Sequence, residues 1–219
     1  MTRAVRIGLT GPIGCGKSTL AGWLAARGAV AIDADAEARA VTAPGQPALA
    51  LVLERFGGAV RAPDGSLDRA ALARLVFADP AALRDLEAIV HPAARPRILA
   101  AIAVAEAAGA PAVVIEAIKL VEGGLAALCD EVWLVACAPE EQRARLAGRG
   151  ATADDAARRI AAQGEFASRL APTVTRIVDT GGGRAAAEER AATAYRAALA
   201  AAVSGEPDRS GSASRGPTR

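Results

Sequence analysis

The chain has 219 residues, a formal net charge of +2, an apolar share of 52% and an aromatic share of 3%. A balance so close to neutral gives no argument of its own for a polyanion-binding surface, and no basic stretch is interleaved with aromatics, so no nucleic-acid partner is expected. With no leader-like start and no apolar run long enough for a bilayer, the expectation is a soluble cytoplasmic protein with no membrane association and no obligate protein partner, its core built from Leu, Val, Ile and Ala.

The first element is the apolar run Val5-Arg6-Ile7-Gly8-Leu9-Thr10, of the kind that fills a parallel strand buried on both faces. It leads into Gly11-Pro12-Ile13-Gly14-Cys15-Gly16-Lys17-Ser18, which fits G-x-x-x-x-G-K-[ST]. A polyphosphate carries several charges in a short span. A chain holds it by converging backbone N–H groups, which needs glycines for unusual φ and close approach. Lys17 adds a positive charge for the β- and γ-phosphates and Ser18 a hydroxyl for Mg²⁺. The following helix, with Leu20, Trp23 and Leu24 on one face, aims its positive end at the anion. The nucleotide-binding set is Gly11, Pro12, Ile13, Gly14, Cys15, Gly16, Lys17, Ser18 and Thr19. The order strand, glycine loop, helix separates this from a glycine-rich turn with a chance lysine.

A second apolar run, Ala29-Val30-Ala31-Ile32, ends in Asp33-Ala34-Asp35. Beside the first strand in a doubly wound sheet, these carboxylates fall near the γ-phosphate end. One suits accepting the proton of an acceptor hydroxyl and the other holding Mg²⁺ through water; the plainer reading is two helix-capping residues. From 36 to about 99 the pattern is helical, broken at Pro44-Gly45, Pro47, Gly57-Gly58 and Pro63-Asp64-Gly65, with Ser66 as an expected N-cap and His91-Pro92 as an interruption. The lone His91 suits a structural role as well as a binding one.

Ala112-Val113-Val114-Ile115 and Glu131-Val132-Trp133-Leu134-Val135-Ala136 read as the third and fourth strands. Lys119 lies past the end of the third, the functional edge of such sheets, with Glu116 and Glu122 near enough to pair with it. Residues 143 to about 169 are arginine-dense with a break at Gly148-Arg149-Gly150. This suits a lid in which Arg149 swings in to exclude water, while Arg158 pairs on the surface with Asp154 or Asp155. Ile177-Val178-Asp179 is the last strand, before Gly181-Gly182-Gly183 and a closing helix from about 184 to 203. Cys15, Cys129 and Cys137 are odd in number and form no C-x-x-C pair, so neither a zinc site nor a disulfide framework is expected. Cys129 and Cys137 read as small buried hydrophobes, and Cys15 as a loop thiol open to oxidation.

The alternation of strands and helices gives the fold class α/β, a three-layer doubly wound parallel sheet. The expected organisation is a single domain over 1–203, with core strands near 5–10, 29–33, 112–116, 131–136 and 176–179, a helical insertion at about 36–100 and a lid at about 140–170. Residues 204–219, rich in Ser, Gly, Pro and Arg, read as a disordered tail. The chain has no asparagine, which excludes the usual N-K-x-D element of GTPases.

From about 7 to 199 the ordered motifs resemble the dephospho-coenzyme A kinase family, whose fold is of the P-loop kinase type. The resemblance is carried by the Gly8 to Ser18 loop, Asp33-Ala34-Asp35 with Ala38-Arg39, and Asp64-Gly65-Ser66-Leu67-Asp68-Arg69 with Leu72 and Val76-Phe77. His91-Pro92, Arg149 and Ala161-Ala162-Gln163 complete it. It implies phosphoryl transfer from ATP, with Mg²⁺, to the ribose 3′-hydroxyl of dephospho-coenzyme A. Asp35 would be the base, Lys17 and Arg149 would stabilise the transferring phosphoryl, and Ser18 and Asp33 would serve the metal. The helical insertion would be the acceptor domain, with Asp33, Arg39, His91, Arg95 and Lys119 as acceptor-side candidates. Three departures stand out. Ile118-Lys119-Leu120-Val121-Glu122 replaces P-L-L-x-E, Thr180 replaces asparagine in Asp179-Thr180-Gly181, and Cys15 replaces serine. A nucleoside or nucleotide kinase of the same fold, and a non-catalytic nucleotide switch, are the alternatives. The first lacks the Asp33 to Pro92 series; the second needs neither a base nor a lid arginine.

Overall fold

The computed structural model describes residues 3–161, 163, 170 and 172–204. Five strands, β1 (Val5–Thr10), β2 (Val30–Asp33), β3 (Ala112–Glu116), β4 (Glu131–Ala136) and β5 (Arg176–Asp179), form one parallel sheet in the order β2-β3-β1-β4-β5. In register, Ile7 faces Val114 on one side and Glu131 on the other. The order reverses at β1, so the loop after β1 opens at the switch point where such sheets bind ligands.

The strands are apolar because helices cover both faces of a parallel sheet. Ile7, Leu9, Ala112 to Ile115, Trp133 and Val135 are all fully buried. Arg6 interrupts β1 and is matched by Glu106, the half-buried pair lying 3.0 Å apart. Helices α1 (Lys17–Ala25) and α8 (Arg184–Ser204) cover one face. The buried stripe of α8 is Ala187, Ala191, Ala194 and Ala198, spaced by three or four residues. This lets α8 lie close against a core holding Trp23 and Tyr195.

Packing divides the chain into two compact units, Met1–Ile32 with Ala105–Arg219, and Asp33–Val104. The second unit contains α2 (Ala34–Ala40), α3 (Pro47–Phe56), α4 (Arg69–Ala78) and most of α5 (Pro80–Ala107). Leu49, Val52 and Phe56 of α3 meet Leu72 and Val76 of α4 and Ala82 of α5 in a core of its own. Helices α6 (Pro139–Ala147) and α7 (Ala153–Ala161) belong to the first unit, with Gly148, Arg149 and Gly150 in the turn after α6. The rest of the expected lid, 162 and 164–169, and the expected tail beyond Ser204 lie outside the described residues.

Three local expectations are corrected. His91-Pro92 does not interrupt the helix, because α5 runs unbroken through Pro92 and Pro96. Both prolines are exposed, so they lie on the side of the helix where carbonyls left without an amide partner can be hydrated. By length and composition α5 is also apolar enough to cross a bilayer, where no such stretch was expected; Ala82, Leu83, Leu86, Ile89, Val90 and Ala94 pack into the clusters of the second unit. The cap of α4 is Asp68, not Ser66. Asp68 Oδ1 accepts from Ala70 N at 3.0 Å and Ala71 N at 2.9 Å, while Ser66 N donates to Asp64 Oδ1 in the preceding turn.

Val52 is fully buried. Val52→Ala removes two methyl-sized volumes from a small core and is expected to cost about 2 kcal/mol, read as a lowered midpoint in urea unfolding.

Candidate active site

The loop after β1 is shaped by glycine at its two ends. Gly11 has φ +151° and passes so close to β4 that an added Cβ would stand 2.3 Å from Val135 O. Gly16 is left-handed at φ 87°, ψ 26°, and caps α1 without a side chain. The positive end of α1 is therefore left to whatever anion enters the loop.

Between these ends the carbonyls are turned into the protein. Lys17 Nζ donates to Gly11 O at 2.8 Å and to Pro12 O at 3.3 Å. Gln142, a buried residue of α6, donates from Nε2 to Ile13 O at 2.7 Å. The Thr180 hydroxyl, just past β5, donates to Cys15 O at 2.7 Å. Ile13 N donates to Gln163 Oε1 at 2.9 Å, which gives the glutamine of Ala161-Ala162-Gln163 a contact, although Ala162 lies outside the described residues. Each carbonyl oxygen held inward is a partial negative charge kept off the anion-facing side.

Cys15 and Cys137 are joined in a disulfide, with Cα atoms 5.3 Å apart and 122 residues apart in sequence. This corrects the expectation of unpaired cysteines. The bond lies beneath the loop, among the apolar residues of the sheet core. Cys129 remains a thiol, and burial, with Asp130 nearby, pushes its pKa up to about 12.

Ser18 Oγ donates to Glu116 Oε1 at 2.7 Å, so a hydroxyl and a carboxylate meet where the loop joins the end of β3. Sequence reasoning sees Glu116 only as a partner for Lys119. The signal it misses is an acidic residue closing an otherwise apolar strand. Beyond it, Thr10 Oγ1 fastens Ile118 O at 3.0 Å and Lys119 is exposed. A cleft of about 540 Å³ opens at the Gly16 end of the loop, walled by Gly16, Thr19, Trp23, Arg145, Arg149 and Thr180. Arg149, on its glycine-flanked turn, thus shares a cleft with the phosphate loop. Asp155 pairs with Arg159 at 2.8 Å and with exposed Arg158 at 3.9 Å, which supports the surface reading of Arg158.

The other candidates lie in the second unit. Asp33 caps α2 by accepting from Ala36 N at 2.8 Å and pairs with Arg39 at 3.4 Å, both side chains being half exposed. Asp35 follows in the first turn of α2. Arg39 also accepts from Arg69 through its backbone carbonyl. His91 and Arg95, one turn apart, share a face of α5 and are half-buried. Among the described residues no group of three or more His, Cys, Asp or Glu side chains gathers into a metal site.

A thiol count checks the disulfide. The oxidised chain, unfolded without reductant, is expected to give one titratable thiol, and three after reduction; three thiols without reduction would remove the bond.

Comparison with known proteins adds to this geometry. The model of the dephospho-CoA kinase family matches residues 5–183. A dephospho-CoA kinase of Symbiobacterium thermophilum is 43% identical over 211 residues, covering 96% of this chain and 87% of the relative. One of Streptomyces avermitilis is 52% identical over 171 residues, covering 76% and 81%. A crystal structure of a Thermus thermophilus protein aligns with a TM-score of 0.76 at 34% identity, over 90% of this chain and 98% of that one. A Campylobacter jejuni dephospho-CoA kinase aligns with a TM-score of 0.55 at 19% identity, over 88% and 96%, which speaks for the fold alone.

Proposed function

We propose a division of labour among the residues of this chain, which belongs to the dephospho-coenzyme A kinase family. It is an enzyme that moves the γ-phosphoryl of ATP to the ribose 3′-hydroxyl of dephospho-coenzyme A, the last step of coenzyme A biosynthesis.

The transferring phosphoryl passes through a state with charge spread over its oxygens, so the protein's task is positioning and charge compensation. The loop from Gly11 to Thr19 holds the polyphosphate by its amides. The ammonium of Lys17 moves from Gly11 O toward the β- and γ-oxygens. Arg149 closes from the lid turn and compensates the charge that develops at the γ-phosphorus, excluding water as it does so. Asp35 accepts the proton of the 3′-hydroxyl from its place in the first turn of α2, the positive end of that helix. Arg39, His91, Arg95 and Lys119 are the candidates that hold the acceptor's phosphates and ribose.

Mg²⁺ fits the donors present. The Ser18 hydroxyl and the Glu116 carboxylate are hard oxygen donors side by side. With no three-carboxylate cage among the described residues, they suit an ion that keeps phosphate oxygens and water as its other ligands. Bound there, the ion would supply charge neutralisation on the phosphate oxygens. Asp33, already engaged as a cap and ion pair, is the less suited candidate for this role.

The observation that carries the reading is the loop itself: carbonyls bonded inward, an uncapped helix start and Arg149 along the same cleft. Purified protein with Mg-ATP and a panel of acceptors tests it. ADP release is expected with dephospho-coenzyme A alone; release with nucleosides or nucleoside monophosphates overturns the substrate, and ATP binding without release overturns the enzyme. Asp35→Asn is expected to keep ATP affinity within about twofold and to lower kcat about 10²-fold. Turnover equal to the parent's would remove Asp35 from the base role.

A further inference from the structure

Thr180 stands at a departure from the family pattern, and its surroundings give the departure a meaning. The side chain is buried, with 3% of its surface exposed. Its hydroxyl oxygen accepts from Arg145 Nη1 at 2.9 Å, and its single proton lies between Cys15 O at 2.7 Å and Ala136 O at 3.1 Å. Arg145 Nη2 donates to the Thr180 carbonyl at 2.6 Å, so both guanidinium nitrogens grip one residue. The guanidinium also lies against the phosphate loop, since a Cβ added to Gly16 would be 3.4 Å from Nη1. Arg145, Thr180 and Gly16 all wall the same cleft.

We propose that Thr180 is a positioning residue for ATP. Its hydroxyl joins the wall of the cleft, through Arg145, to the underside of the phosphate loop, through the Cys15 carbonyl. The nucleoside half and the polyphosphate half of the nucleotide are thereby held in one fixed relation. This rests on reading the cleft as the ATP site and goes beyond it by naming what couples its two parts. An asparagine amide carries its donor and acceptor on separate atoms; threonine does both from one oxygen. The link to the Cys15 carbonyl is made by the side chain, while Thr180 N is bonded independently to Ala136 O at 2.9 Å and keeps the backbone in place. A methyl in place of the hydroxyl leaves the Cys15 carbonyl and Arg145 Nη1 without their Thr180 partner, while Arg145 Nη2 keeps the Thr180 carbonyl, so the tie between loop and wall is what is lost.

The test compares Thr180→Val and Thr180→Ser with the parent, reading kcat, KM for ATP, KM for dephospho-coenzyme A and equilibrium ATP affinity. Thr180→Val is expected to raise KM and Kd for ATP about tenfold, the worth of one or two buried hydrogen bonds. It should leave kcat at saturating ATP and KM for the acceptor within about twofold, and Thr180→Ser should restore ATP binding. A merely structural role would lower the active fraction, and so kcat, without this split. ATP affinity within twofold of the parent in Thr180→Val, or no rescue by serine, overturns the proposal. Should Thr180→Val fail to fold, Thr180→Ala, which removes the same hydroxyl without the added methyl, has to give the same split. A parent that shows no turnover with any acceptor brings down the kinase reading instead, which the parent assay alone reveals.

Discussion

The direction of the carbonyls in the phosphate loop is the constraint on which the site depends. A peptide loop presents donors and acceptors in equal number, and an anion is repelled by the acceptors. Here Gly11, Pro12, Ile13 and Cys15 each have a carbonyl engaged by the protein, from Lys17, Gln142 and Thr180. Four of the loop's carbonyls are thus satisfied internally, as are the amides of Ile13, on Gln163 Oε1, and Cys15, on Pro12 O. Glycine permits the shape, but partners outside the loop maintain it.

That division explains how the charges are arranged. Lys17 serves the loop before it serves a ligand, so its cost of burial is met by two carbonyls. Ser18 and Glu116 form a similar standing pair. The contacts from Gln142 and Thr180 fix the Ile13 and Cys15 carbonyls before any ligand arrives. Apart from Lys119, the residues proposed for the acceptor sit in a unit with its own small core, which is chemically a separate task.

Much of the sheet was legible in the sequence because strands buried on both faces must be continuously apolar, as at Ala112 to Ile115. The phosphate loop was legible because its chemistry forces glycines and a lysine into fixed spacing. The parts that escaped depend on partners far along the chain. Nothing local marks Gln142 as a buried donor to Ile13, and two cysteines separated by 122 residues carry no sign of pairing. Ser66 was the expected cap, and Asp68 takes the place because Ser66 is drawn into the turn at Asp64. Pro92 looked like a helix end because sequence cannot say that its missing hydrogen bond falls on the solvent side.

The loop is encoded among the first residues, whereas Cys137, Gln142, Gln163 and Thr180 come from the later half of the chain. During synthesis the glycine-rich segment emerges well before β4, α6 and β5, the elements at or beside which the partners of its carbonyls and of Cys15 lie. Nucleotide affinity is therefore a property of the finished sheet. A chain ending before β5 carries the whole motif without the Thr180 hydroxyl that holds its Cys15 carbonyl.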